Sequence, residues 1–199
     1  MIKAVLKPNN FGNGVRVKTG KVRLSFPHLF EKYEKSDKYQ AVFMIPKGSD
    51  TQRIVDEAVS NAKKDGKARL WGGKIPGKLG VSIKDGDEPN EEGDTYPENE
   101  GHILLTAKST KKPSVFDADG NDVFDAEELY SGCYVQAIFD AYPYANDSKG
   151  VGFSLAGVKK IADGDPLGGN GYKASANDFD DAEDEDDDED DDDDDGLLS

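Results

Sequence analysis

Over residues 15–26, apolar Val15, Val17, Val22, Leu24 and Phe26 alternate with Arg16, Lys18, Lys21, Arg23 and Ser25. Alternation with period two predicts a half-buried strand, here with a cationic outer face. Gly20 breaks the phase and predicts a bulge or bend. Residues 38–46 predict a second strand, stopped by Pro46-Lys47-Gly48. Ser49 and Asp50 then offer an N-cap. Ile54, Val55, Ala58, Val59 and Ala62 follow at helical spacing, with Lys63 and Lys64 in the last turn and Gly66 beyond it. This predicts one helix of about 14–16 residues whose apolar stripe packs on a sheet. Residues 102–108, 133–142 and 151–161 predict three more strands, and residues 116–121 a turn. Residues 67–100 read as a long irregular segment, usually functional or mobile. Five main strands and one helix predict a mainly β fold, a small five-stranded antiparallel barrel.

Charge changes this picture. The 199 residues hold 41 acidic and 25 basic side chains, a net charge of −16. Sixteen of the acids lie between Asp178 and Asp195, so residues 1–177 are neutral and the C-terminal segment carries the whole imbalance. So dense a run of like charge self-repels and buries no core, which predicts a disordered acidic tail over 178–199. A Gly-rich linker over 163–177 would join it to a domain at 1–162. The neutral body is polarised, at +11 over residues 1–84 and −11 over 85–177. A basic first half is the footprint of a polyanionic ligand, and the acidic overall pI does not argue against one. Cys133 is the only cysteine, so no intrachain disulfide forms and an intracellular setting is expected. The start of the chain lacks an apolar signal core, and no apolar run approaches the ~20 residues of a membrane span. A soluble, cytoplasmic protein with no membrane partner is expected.

Several motifs reduce to blander readings. Gly72-Gly73-Lys74-Ile75-Pro76-Gly77-Lys78-Leu79 approximates a phosphate-binding loop, but Leu79 stands where Ser or Thr must reach magnesium. An extended Val81-Ser82-Ile83 follows in place of the required helix. The stretch from Asp117 to Glu128 has the oxygen spacing of a calcium loop, with Asp122 where glycine makes the sharp turn. His28, His102 and one cysteine make no convincing zinc site. No catalytic constellation stands out, so no enzyme activity, cofactor or metal is expected. The interleaving of cations and aromatics carries more. Arg69, Trp71, Lys74, Lys78 and Lys84 surround a large aromatic on a loop, and Phe26, Phe30 and Tyr33 neighbour Lys32 and Lys35. Tyr142-Pro143-Tyr144 ends the fourth predicted strand. Cations beside stackable rings suit a single-stranded polyanion with bases. The bland alternatives are a core Trp71 and barrel-closing Phe26 and Phe30.

Three stretches carry a family resemblance: Lys38-Tyr-Gln-Ala-Val-Phe-Met-Ile-Pro-Lys47 with the helix opening Gln52-Arg-Ile-Val-Asp-Glu-Ala58; Leu70-Trp-Gly-Gly-Lys-Ile-Pro76; and Leu129-Tyr-Ser-Gly-Cys-Tyr-Val135, running on through Tyr142-Pro-Tyr144 and Lys149-Gly-Val-Gly152 to Gly164-Asp-Pro-Leu-Gly-Gly169. In this order, with an acidic tail, the chain resembles the single-stranded DNA-binding proteins that bacteriophages encode for their replisomes. The resemblance implies an OB-fold-like barrel with a DNA face of cations and aromatics. The helix here follows the second predicted strand, where the commoner OB order has it after the third. The resemblance also implies that the tail recruits the phage polymerase and helicase–primase. Family tails usually end on an aromatic residue, whereas this one ends Gly196-Leu197-Leu198-Ser199.

The combined reading is sequence-independent single-stranded DNA binding in phage replication, recombination and repair. Lys21, Arg23, Lys74, Lys78, Lys108, Lys111 and Lys112 are the expected phosphate contacts, and Trp71, Tyr142 and Tyr144 the expected stacking rings. Asp191, Asp192, Asp193, Asp194, Asp195, Leu197 and Leu198 are the expected partner-binding residues, and a homodimer is a further expectation. The alternative is an acidic-tailed interaction or chaperone-like protein without a DNA groove.

Overall fold

A computed structural model describes residues 2–8, 15–90 and 93–168. The predicted tail, and the predicted linker from residue 169 onward, lie outside the described residues. In chain order the elements are β1 (Val5–Pro8), β2 (Val15–Lys18), β3 (Val22–Tyr33), β4 (Lys38–Pro46), α1 (Asp50–Arg69), β5 (Gly80–Val81) and β6 (Ile83–Asp85). They continue with β7 (His102–Ser109), β8 (Ser114–Phe116), β9 (Tyr134–Ala145) and β10 (Lys149–Ala162).

Strands β3, β4, β7, β10 and β9 pair in that order, and β9 pairs back onto β3. These five are the predicted main strands, and the helix lies between the second and third of them, as the sequence order requires. The barrel is not wholly antiparallel, however: β7 and β10 run parallel, joined at Ser154 and Lys108. The reason is geometric. Alternating directions cannot be kept around a ring with an odd number of strands, so one neighbouring pair must be parallel. Alternation along each strand fills the interior. Phe43 from β4, Phe139 from β9 and Phe153 from β10 meet there, with ring centroids 6.0 and 5.5 Å apart in sequence.

The predicted strand over 15–26 is two strands, β2 and β3, bent at Thr19-Gly20. The Thr19 hydroxyl accepts from the Ala137 amide at 2.9 Å, and the Gly20 amide donates to the Thr51 hydroxyl at 2.9 Å. The bend thus ties β9 to the first turn of α1. Strand β3 runs on to Tyr33, so Phe26, Phe30 and Tyr33 lie within it rather than after it. Strand β1, not predicted from sequence, pairs antiparallel with β2 and extends the sheet beyond β9.

The helix α1 is capped by the Ser49 hydroxyl, which accepts from the Gln52 amide. It spans 20 residues, a turn longer than expected, and includes Gly66. Glycine is needed there for space. A Cβ at Gly66 would stand 2.6 Å from the Trp71 ring and 2.8 Å from Pro143. Trp71 is 5% exposed and belongs to the core.

The start of the predicted linker is fastened to the barrel. The Tyr130 hydroxyl donates to the Gly164 carbonyl at 2.9 Å, and the Leu167 amide donates to the Ser131 carbonyl at 2.8 Å. A Cβ at Gly132 would meet the Asp165 carbonyl oxygen at 2.1 Å, so only glycine admits this crossing. The compact unit runs to Gly168.

Gly66→Ala tests the helix–tryptophan packing. Helix propensity alone favours alanine by about 1 kcal/mol, whereas overpacking costs about 1–3 kcal/mol. Because the obstructing atoms are a ring and a proline held in the core, the expected result is lower stability in urea unfolding.

Candidate nucleic-acid interface

The faces of β7, β9 and β10 that point away from the core share one cleft of about 510 Å³. Strand alternation selects its walls. Leu105, Ala107, Phe139 and Ala141 point inward, while Thr106, Lys108, Asp140, Tyr142 and Tyr144 line the cleft. Ser82 and Ser154 add hydroxyls, and Lys38, at the start of β4, supplies a second cation.

The two tyrosines are set by register. On the β9–β10 hairpin, Tyr142 faces Gly152 and Tyr144 faces Gly150. A Cβ at Gly152 would stand 2.9 Å from the Tyr142 hydroxyl oxygen, and one at Gly150 would stand 2.3 Å from that of Tyr144. Each ring therefore lies across a glycine, an aromatic covering of a bare strand position. Trp71 holds the same hairpin from behind, its indole N–H donating to the Tyr144 carbonyl at 3.0 Å. Tyr142 remains 37% exposed, so one side of its ring is open to a ligand. Burial raises its hydroxyl pKa, with Tyr144 adding to the shift, so the ring stays neutral at physiological pH.

Asp140 is the one carboxylate among the cleft-lining residues. It is bound by Arg16 of β2 through two contacts, Nε–Oδ1 at 2.8 Å and Nη2–Oδ2 at 3.0 Å. The hydrogen bond to Asp140 raises the Arg16 pKa against the opposing effect of burial. A two-point arginine–carboxylate pair of this kind is the strong form of the interaction. With Asp140 neutralised, Lys38 and Lys108 set the sign of the cleft.

The sequence-predicted residues divide. Lys108, Tyr142 and Tyr144 come together in the cleft. Lys74 and Lys78 are exposed on the segment leading into β5, where Gly80 approaches the Tyr144 hydroxyl. Lys111 and Lys112 are exposed after β7, and the Lys112 ammonium sits 5.3 Å from the Phe30 ring centroid. Lys21 and Arg23 lie apart, over Tyr134 at 4.6 and 6.0 Å. Two of the expected residues also have partners within the fold. Trp71 is buried with Gly66 against its ring and supports the hairpin. Arg23 donates to the carbonyls of Gly132 at 3.1 Å and Asp165 at 2.6 Å, and so helps to fasten the barrel seam. Lys38, Ser82, Thr106 and Ser154 escaped the sequence reading, because only strand pairing places them beside Lys108. Asp191 to Asp195, Leu197 and Leu198 lie outside the described residues.

A ring of this connectivity, with cations and two tyrosines on its outer face, has the architecture of an OB-type fold. The chain belongs to the family of the Enterobacter phage Enc34 single-stranded DNA-binding protein, whose sequence profile matches residues 15–191. A curated relative, putative protein p50 of Acyrthosiphon pisum secondary endosymbiont phage 1, is 37% identical over 181 residues, covering 84% of this chain and 94% of its own. The solved single-stranded DNA-binding protein of bacteriophage Enc34 is 28% identical with a TM-score of 0.65, covering 87% of this chain and 98% of its own. The same protein solved in complex with single-stranded DNA is 29% identical at a TM-score of 0.65, covering 82% and 98%. The fold is also that of gp2.5, a single-stranded DNA-binding protein of bacteriophage T7, at 15% identity and a TM-score of 0.55, covering 92% and 98%. Among the described residues no helix is long and apolar enough to cross a membrane.

The Arg16–Asp140 pair gives a test of the cleft's electrostatics. Arg16→Ala exposes a carboxylate to any bound polyanion. At about 8 Å and an effective dielectric of about 20, that costs about 2 kcal/mol, which salt screening reduces to roughly tenfold in affinity. Asp140→Asn in the Arg16→Ala background is expected to restore affinity for a single-stranded oligonucleotide. Failure of that rescue would show that Arg16 acts in another way.

Proposed function

We propose that this chain binds single-stranded DNA without sequence preference through the cleft of Lys38, Lys108, Tyr142 and Tyr144. The carrying observation is the placing of an exposed tyrosine, a half-buried one and two lysines in one cleft whose only carboxylate is neutralised. Every base has a face that stacks on an aromatic ring, and every nucleotide carries the same phosphate. Such a lining therefore holds a strand without reading it. A relative solved with single-stranded DNA bound supports the reading. No bond is made or broken. Burial also pushes the Cys133 thiol up to about 11, which keeps it protonated at neutral pH. Lys74, Lys78, Lys111 and Lys112, exposed on flanking segments, extend the cationic path for phosphates beyond the cleft.

The acidic segment is assigned two linked tasks. It carries the net charge of −16 on the same chain as a cationic cleft. Tethering gives it an effective local concentration on the order of mM, so it competes with DNA. When DNA occupies the cleft, the segment becomes available to the phage polymerase and helicase–primase. Asp191 to Asp195 supply the charge of that contact, and Leu197 and Leu198 stand where the family usually has an aromatic anchor.

Titration with oligo-dT at two salt concentrations tests the cleft. Log affinity should fall with log salt by about 0.7 per phosphate contact. Lys38→Ala and Lys108→Ala should each lower that slope by about one such step. Tyr142→Ala should cost about 1–3 kcal/mol of binding. A salt-insensitive affinity, or no binding of oligo-dT at all, would favour the acidic-tailed chaperone-like reading instead. Deleting residues 178–199 should tighten DNA binding and abolish partner recruitment, and a weaker-binding truncation would refute competition by the tail.

A further inference from the structure

A second and larger cleft, of about 800 Å³, opens between β3, β6, β7 and the segment that joins β6 to β7. It adjoins the cationic cleft: Ile83 and Leu104 line one, and Ser82 and Thr106 line the other. Its sign is opposite. Glu88, Asp94 and Glu98 line it with the cation Lys84, and the fourth acid of the lining, Asp85, shares Lys47 with Asp87 as its counter-ion. Hydrogen bonds from Lys47 hold both aspartates below the usual carboxylate range, so two carboxylates there face one ammonium. A phosphate backbone is repelled here and drawn to the neighbouring cleft.

The lining is also apolar. Phe26 is 69% exposed and Tyr96 is exposed beside the acids. Phe26 holds its ring there at a cost, since its φ of 44° is a left-handed conformation that strains a non-glycine residue. Its amide donates to the Ser131 hydroxyl at 2.9 Å, which fixes that conformation. A strained, water-exposed aromatic among carboxylates fits an apolar segment flanked by lysines.

The chain itself presents such a segment. The β1–β2 ribbon carries Lys3, Lys7 and Lys18 around exposed Ile2 and half-buried Val5 and Leu6. A shallow groove of about 160 Å³ lies along it, lined by Val5, Lys7, Arg16, Lys18 and Ile138. The ribbon is attached to β9, and the acidic cleft is built on β3, β6 and β7. The two complementary surfaces share no lining residue.

We propose that the acidic, aromatic cleft of one copy receives the cationic β1–β2 ribbon of a second copy of this chain, head to tail, linking neighbours along one DNA strand. When copies are aligned along one strand, each keeps one patch free after pairing once, so the contact repeats into a row. It rests on the single-stranded DNA reading, which supplies the strand that aligns the row.

The test is a charge exchange in the full-length protein. Glu88→Lys/Asp94→Lys reverses the cleft and leaves the Lys47 anchor of Asp85 intact, while Lys3→Glu/Lys7→Glu reverses the ribbon. The readout is the gain in affinity per site on a long oligo-dT over an oligo-dT of one site's length. Wild type should gain about tenfold, the scale of a few exposed ion pairs and one aromatic contact. Each variant alone should lose the gain and still bind the short oligonucleotide within about twofold of wild type. An equimolar mixture of the two should recover it, because each variant's cleft then matches the other's ribbon. No gain in wild type, a gain that survives either reversal, or a mixture that recovers nothing would overturn the proposal. A ribbon that touches DNA directly would weaken short-oligonucleotide binding and leave the mixture unrescued, which also overturns it. Loss of short-oligonucleotide binding in wild type would instead overturn the DNA reading beneath it.

Discussion

The register of the β9–β10 hairpin is the constraint on which the rest depends. Two glycines on β10 face two tyrosines on β9, and side chains at Gly150 and Gly152 would occupy the space of the rings. A slip by one residue would turn both tyrosines inward and every core side chain of β9 outward. The same register places Pro143 against Trp71 and puts the Tyr144 carbonyl where the indole N–H reaches it. Trp71 in turn requires Gly66, so the length and exit of α1 are set by the hairpin it covers. The cleft, the helix end and the barrel wall thus share one set of contacts.

Electrostatics is organised in space as well as along the chain. Adjoining clefts of opposite sign lie on the outer face of β6 and β7, and Lys108, from the acidic second half of the body, supplies one cation of the cationic cleft. One arginine keeps them distinct, since Arg16 removes the charge of Asp140 from the cationic side. Fields of opposite sign a few ångströms apart sort ligands by charge: a polyanion enters one cleft and a cationic surface the other. A net charge of −16 says nothing of this sorting, because it sits on a segment outside the barrel.

Two stretches that carried the family resemblance, around residues 129–135 and 164–169, prove to be bound to each other. Tyr130, Ser131 and Gly132 take up Gly164, Asp165 and Leu167, and Arg23 closes the seam between them. This contact reinforces a short join of the ring, where β3 and β9 share two paired positions. A cationic residue on an outward strand face thus has a structural task, since Arg23 donates to backbone carbonyls more than 100 residues away in sequence.

What the sequence determined by itself was whatever rests on local periodicity and composition. Alternation placed β4 at its observed bounds and located the other four barrel strands. Capping residues and the apolar stripe placed the start of α1 and its buried face, and charge counting separated a neutral body from an acidic segment. The tertiary structure alone decided which of many cations and rings share a surface. Lys108, Tyr142 and Tyr144 were legible as candidates. Their neighbours Lys38, Ser82 and Ser154 were not, because strand pairing between distant segments has no local signature. Trp71 and Arg23 look in sequence like ligands for a polyanion, and only the tertiary structure shows that each also makes contacts within the fold. The acidic cleft was hidden for the same reason, since Phe26 and the carboxylates of residues 85–98 become one surface only when β3, β6 and β7 are brought side by side.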